Sequence, residues 1–201
     1  MLKDITDKKA SEHTFKEKII IGFYEALMSL VGATVIILLM YTFCVKSVAV
    51  DGTSMLPTLQ HGDRLVITAF CLEPEQGDII VSTQPNAFGN AVIKRVIATE
   101  NQTVDIDFST GDVFVDGVLL NEPYINNRTI NSQGVIFPVT VPENHIFVMG
   151  DNRQGSTDSR SEMIGFIREE YIYGVAKLKL YNYDKENKEC KFYKPSEWIL
   201  E

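Results

Sequence analysis

The chain is short of the residues that build the commoner metal and redox centres. It has three cysteines and three histidines in 201 residues. The cysteines, Cys44, Cys71 and Cys190, form no CxxC pair and none stands at metal-ligand spacing to a histidine, so neither a zinc site nor a disulfide framework is expected. An odd, sparse count favours free thiols, and a single Cys71–Cys190 bridge is left open for a domain outside the cell. Positive charge is also scarce: 19 basic residues face 27 acidic ones, a net charge of −8. The excess is not spread evenly, because residues 1–45 hold five lysines against five acids and everything after them is acidic on balance. An acidic domain without a basic stripe repels phosphate backbones, which excludes nucleic acid as a partner. Internal repeats and low-complexity tracts are absent. At 45% hydrophobic and 23% charged residues the chain is ordinary for a folded protein with one good core.

Long apolar runs are missing too, with one exception. From Ala26 to Val45 there are twenty residues without a charge, between Glu25 and Lys46. As a helix they would span about 30 Å, the hydrocarbon thickness of a bilayer, and they predict a transmembrane helix. Ser47-Val48-Ala49 offers small residues where a leader would be cut, but the apolar run is longer than the roughly 7 to 15 residues of a signal-peptide core and follows a 25-residue preface. A retained anchor is therefore expected. Lys3, Lys8, Lys9, Lys16 and Lys18 precede it, while only Lys46 and Arg64 follow closely, which predicts a cytoplasmic N-terminus. The expected organisation is a cytoplasmic segment 1–25, a transmembrane helix 26–45 and an extracytoplasmic domain 46–201.

Beyond the anchor, short β-branched and alternating runs are broken by Gly-Asp and Asp-Gly turn signals, so the domain is expected to be mainly strand. Asp116-Gly117 between Val113–Val115 and Val118–Leu120 predicts a two-residue hairpin. Residues 121–142, rich in Asn, Thr and Pro, read as a long connection or a small subdomain. Residues 167–173 could hold a helical turn or two, and 175–183 read as a strand.

Three stretches carry chemistry. In Asp51-Gly52-Thr53-Ser54-Met55-Leu56-Pro57-Thr58-Leu59, Gly52 tolerates positive φ and Pro57 fixes its own φ while pushing Leu56 toward extended geometry. Such a stiff bend exposes the Ser54 hydroxyl and leaves backbone N–H groups free to hold an oxyanion. In Ala91–Ala98 a strand alternation puts Lys94 on the face of Val92, Val96 and Ala98, with Arg95 pointing the other way. Desolvation there disfavours the ammonium, and a neutral lysine can take a proton from a serine. Residues 150–160, GDNRQGSTDSR, follow a strand-like Ile146–Met149 and form a polar loop at the end of a core strand. In it Ser156 is placed to orient the Lys94 amine, and Asp158 with Arg160 to form an ion pair that locks the loop. Ser54 and Lys94 suit the serine-lysine version of nucleophile and general base.

The combination resembles the bacterial, Gram-positive kind of type I signal peptidase, from the anchor to about Tyr181. The resemblance rests on the membrane helix, the SMLPTL stretch with Ser54, Gly62-Asp63, Gly77–Val81, Lys94–Ala98, the hairpin 112–120 with Asn121-Glu122-Pro123-Tyr124, and the GDNRQGSTDSR loop. It implies a mainly β domain of several small antiparallel sheets that removes signal peptides from exported preproteins at the outer membrane surface. Ser54 would be the acyl nucleophile, Lys94 its base, Ser156, Asp158 and Arg160 the supporting residues, and no metal or cofactor would be required. The peptide would bind extended against Val50, Asp51 and Gly52 on one side and Ala91, Val92 and Ile93 on the other, with Met55, Leu59 and Ile93 lining a shallow pocket suited to alanine. Two departures stand out. Gly52 occupies a position where some relatives carry a serine that helps hold the oxyanion, which leaves that task chiefly to the Ser54 N–H. Ser161–Ile164 also lengthens the spacing between Arg160 and Gly165-Phe166. The rival readings are a soluble self-cleaving serine-lysine regulator, opposed by the anchor, and an inactive membrane-tethered assembly factor of the pilus type, opposed by the presence of both Ser54 and Lys94.

Overall fold

The computed structural model describes residues 2–69, 73–184 and 186–200, with side chains from residue 17 to 39 and from 46 onward. Cys71 lies outside the described residues, and Cys190 is exposed. The chain divides into two units, 1–44 and 45–201.

The first unit is one helix, α1, Leu2–Cys44. It starts well before the charge-free stretch, because lysine, glutamate and alanine in the preface are good helix formers and nothing there breaks the period. Among the described residues, Glu17–Leu39 is a section long and apolar enough to cross a membrane. Isoleucines 19–21, Phe23 and Tyr24 extend the apolar surface past Glu25 toward the N-terminus.

The second unit is mostly β and built of antiparallel sheets, as expected. Its strands are β1 (Val45–Ala49), β2 (Asp63–Thr68), β3 (Ile79–Ser82), β4 (Val92–Ala98), β5 (Thr103–Asp107), β6 (Asp112–Val115), β7 (Val118–Leu119), β8 (Val139–Thr140), β9 (His145–Met149), β10 (Ile167–Arg168), β11 (Ile172–Asp184) and β12 (Glu189–Phe192). An eight-stranded sheet runs β1-β2-β11-β3-β4-β9-β10, with β12 added to β11. The smaller sheet runs β7-β6-β5-β8. The predicted hairpin is present, with Asp116 at φ 52° and Gly117 at φ 77°, the positive pair a tight β6–β7 turn requires. Residues 167–173 are β10, one turn of 3-10 helix at Glu169–Tyr171, and the start of β11.

β4 is covered on both faces. Val96 joins a core cluster with Ile80, Ile146 and Val148, whereas Ile93 packs against another made by Met55, Leu59, Leu65 and Ile67. Ile97 and Ala98 enter a third with Phe147 and Met149, reached through a bulge between Val96 and Ala98. Any polar side chain in the middle of this strand must therefore find its partner inside the protein.

Candidate active site

Ser54 sits in a series of turns between β1 and β2, and the Leu56–Pro57 peptide there is cis. Leu56 N–H donates to Thr53 O and Leu59 N–H to Met55 O, so the chain coils tightly just after the serine. That coil turns Met55 and Leu59 inward, 2% and 0% exposed, and leaves Ser54 half-buried at the surface of the cleft. The sequence places Lys94 forty residues on, and the sheet returns it to the serine: Lys94 Nζ is 2.9 Å from Ser54 Oγ and 3.1 Å from the Ile93 carbonyl. Lys94 is 5% exposed. Burial pushes its pKa below the ordinary 10.5, with Arg160 acting in the same direction and the carboxylates of Asp158 and Asp151 opposing.

The polar loop after β9 is organised around Asp158. Asp158 is fully buried and accepts from Arg160 Nε at 2.8 Å, Arg160 Nη2 at 2.8 Å, Gly150 N at 3.0 Å and Ser156 Oγ at 2.9 Å. The Ser156 hydroxyl, expected on the lysine amine, thus turns to Asp158, because a buried carboxylate is the stronger acceptor. Arg160 also donates to the carbonyls of Arg153 and Asn131, which fixes the loop to the long connection before β8.

Several residues with a part in this geometry escaped the sequence reading. Arg95 is 1% exposed and pairs with the fully buried Asp151 through Nε at 2.9 Å and Nη2 at 2.8 Å, with its guanidinium over the Tyr124 ring. It does not point to water. Asp151 also accepts from the Thr58 hydroxyl at 2.5 Å, so one carboxylate joins β4 to the Ser54 turn. Asn152 donates its backbone N–H to Ser54 O at 3.0 Å and its side-chain amide to Thr53 O at 3.1 Å. Gly150 stands where these lines meet: a Cβ there would run into both the Ser156 side chain and the Ser54 carbonyl. Only the run of polar residues after a core strand hinted at any of this.

Gly52 has φ 101°, and its N–H donates to His61 Nδ1 at 3.3 Å. Among the described residues nothing in the chain accepts from the Ser54 N–H, which stays free to meet a developing oxyanion.

A cleft of about 150 Å³ opens beside Ser54 and Lys94. Val50, Asp51, Met55, Ala91, Val92 and Ile93 line it. Leu59 does not, because the turn that begins at Met55 drives it into the core. Val48, Ala49 and Val81 line it as well; the first two continue β1, and Val81 lies opposite Ile93 in the β3–β4 register. The cleft has strand on two sides. β1 ends the larger sheet, and β9 pairs with β4 only from Arg95 onward, so one edge of Val92 and Ile93 carries no strand partner among the described residues.

The signal peptidase family, peptidase S26, matches residues 23–181. The chain is 38% identical over 167 residues to a probable signal peptidase I-1 of Synechocystis, covering 78% of this chain and 82% of that protein. It is 31% identical over 189 residues to signal peptidase I S of Bacillus subtilis, covering 89% and 98%. A crystal structure of a signal peptidase I from Enterococcus faecalis is similar at 31% identity and a TM-score of 0.42, covering 52% of this chain and 97% of that one.

Proposed function

Since the chain belongs to the signal peptidase family, peptidase S26, we propose that it removes signal peptides from exported preproteins with Ser54 as nucleophile and Lys94 as general base. The observation that carries the reading is the 2.9 Å contact between Ser54 Oγ and a buried Lys94 amine. With Lys94 neutral, the Ser54 hydroxyl donates its proton to Nζ as Oγ attacks the scissile carbonyl. The Ser54 N–H holds the resulting oxyanion, and Lys94 returns the proton to the departing amine. Water, deprotonated by the same lysine, then frees the acyl-enzyme, and both groups end as they began. The free strand edges at Val92 and Ile93 and beside β1 suit an extended peptide, and the small cleft between them suits a side chain no larger than alanine's.

The reading extends to the membrane. Residues 1–25 are cytoplasmic, residues 26–45 are the anchor, and residues 46–201 work outside the bilayer that delivers the substrate, a reading supported by the apolar helix and the lysines ahead of it. Asp158, Arg160 and Ser156 support the lysine.

The test uses the full chain in detergent with a labelled signal-peptide substrate. A single cut after a small residue is expected, abolished by Ser54→Ala and by Lys94→Met, with both variants keeping the thermal transition of the parent. Lys94→Arg fails as well, because guanidinium stays protonated. Substantial Ser54-dependent cleavage by Lys94→Met would overturn the mechanism. An inactive assembly factor would release no product at all.

A further inference from the structure

Residues beyond 181 lie outside the stretch that matches the family, yet they are tied to the turn that carries Ser54. Thr58, four residues after the serine, is held at both polar ends. Its hydroxyl donates to Asp151 at 2.5 Å, and its carbonyl accepts from Lys179 Nζ at 3.1 Å. Lys179, half-buried in β11, lies with its ammonium 4.7 Å above the centre of the Tyr193 ring. The Tyr193 hydroxyl donates to Asp63 Oδ1 at 2.7 Å. Asp63 is fully buried, and its other oxygen accepts the Gln60 N–H at 2.8 Å. Trp198 closes the ring: its indole N–H donates to Tyr193 O at 2.8 Å, and its own carbonyl accepts the Lys179 N–H at 2.8 Å.

The two ends of the stretch 58–63 are thus gripped by one unit made of β11 and the segment that follows it. On the other side, Asp151 grips Thr58 from the polar loop after β9. Ser54 lies between these holds and Gly52, in a turn whose own bonds are only a few backbone contacts. Attack requires a hydroxyl kept within hydrogen-bond reach of the amine, so what fixes Thr58 also sets how often the serine is in line.

We infer that Lys179 and Tyr193 are positioning residues for Ser54, acting through Thr58 and Asp63, and that the segment after β11 belongs to the cleavage machinery. The inference rests on the reading of Ser54 and Lys94 given above. A merely structural tail would add to stability and leave turnover unchanged at temperatures where the chain is fully folded.

The experiment measures kcat, KM, the pH profile and the thermal transition of the full chain on the labelled signal peptide. Lys179→Met is expected to lower kcat about tenfold, the worth of one charge-assisted hydrogen bond in a barrier. KM should stay within about twofold and the rising limb of the profile should not move, because the groups around Lys94 are untouched. Lys179→Arg should recover roughly half of the lost rate by donating to the same carbonyl. Tyr193→Phe keeps the ring under Lys179 and removes only the bond to Asp63, so it remains informative if Lys179→Met fails to fold. It should lower kcat by a smaller factor, and the double variant should fall by less than the product of the two. Unchanged kcat with a lower melting temperature would overturn the inference, as would a raised KM at constant kcat, which would make Lys179 a substrate contact. Those outcomes leave Ser54 and Lys94 standing. Cleavage that survives Ser54→Ala would bring down both readings.

Discussion

Arg95 and Asp151 form a two-pronged ion pair with 1% and 0% of their side chains exposed, between the residue after Lys94 and the residue after Gly150. Each is the immediate neighbour of a residue at the site. The pair therefore fixes the distance between β4 and the polar loop. Because both partners are buried, truncating one strands a charge on the other. Asp151→Ala should cost about 3 to 5 kcal/mol of stability, read as a fall in the denaturant midpoint, and should lower turnover by loosening Thr58 as well. A midpoint within about 0.5 kcal/mol of the parent would show that the pair does not hold the two elements together.

Under the proposed mechanism Lys94 sets the pH dependence of cleavage. Its folded pKa lies below 10.5, so cleavage should rise with pH through a value under that of an ordinary lysine, following no histidine. The stability consequence has a definite sign. Between the folded and the unfolded pKa the unfolded chain binds one more proton at this site, so unfolding free energy rises with pH across that window. Lys94→Met should remove this slope, which denaturant titrations at several alkaline pH values would measure.

Gly150 should tolerate no side chain. A Cβ added there meets the Ser156 side chain and the Ser54 carbonyl together, so relief must shift either the Ser156–Asp158 bond or the Ser54 backbone. Gly150→Ala is expected to reduce kcat by about a hundredfold or more, as misplacement by an ångström does, with a smaller loss of melting temperature. Parent-like rates in this variant would mean that the crowding at Gly150 is relieved without cost.

Ser156 and Asp158 separate under mutation. Ser156→Ala removes one hydrogen bond to Asp158, worth about 1 kcal/mol, and should leave the fold intact with reduced turnover. Asp158→Ala strands the fully buried Arg160 and releases the Gly150 N–H, so it should also lower the thermal transition by several degrees. Equal stability of the two variants would remove the structural role assigned to Asp158.

The lysines ahead of the anchor make topology testable. Protease added to intact spheroplasts should digest the chain after residue 46 and spare the N-terminal 25. Protection of the large domain would reverse the orientation.

Much of the site was legible in the sequence because its residues fall in short runs of constrained spacing: a serine between glycine and proline, a lysine in a strand, an acid and an arginine two residues apart. The buried partner of Arg95, Asp151, was not legible, because strand alternation gives the face of a side chain and not what covers it, and β4 has core on both sides. Leu59 was misplaced because a coil of backbone bonds at 55–59 overrides the extended reading that proline suggests. That α1 begins at Leu2 was not legible, because absence of charge marks a membrane span and not the bounds of a helix. Gly150, Asn152, Lys179 and Tyr193 act through neighbours distant in sequence, and no local pattern records such contacts.

The position of β11 carries a consequence for the birth of the protein. β2 and β3 follow each other closely along the chain, yet the strand that lies between them begins only at Ile172. Neither can complete its pairing until nearly the whole polypeptide has been made and delivered, and such long-range closure is slow. Ser54 follows β1 and Lys94 lies on β4, with β11 between them in the sheet order, so a chain still lacking β11 carries both residues without the strand that joins their halves of the sheet.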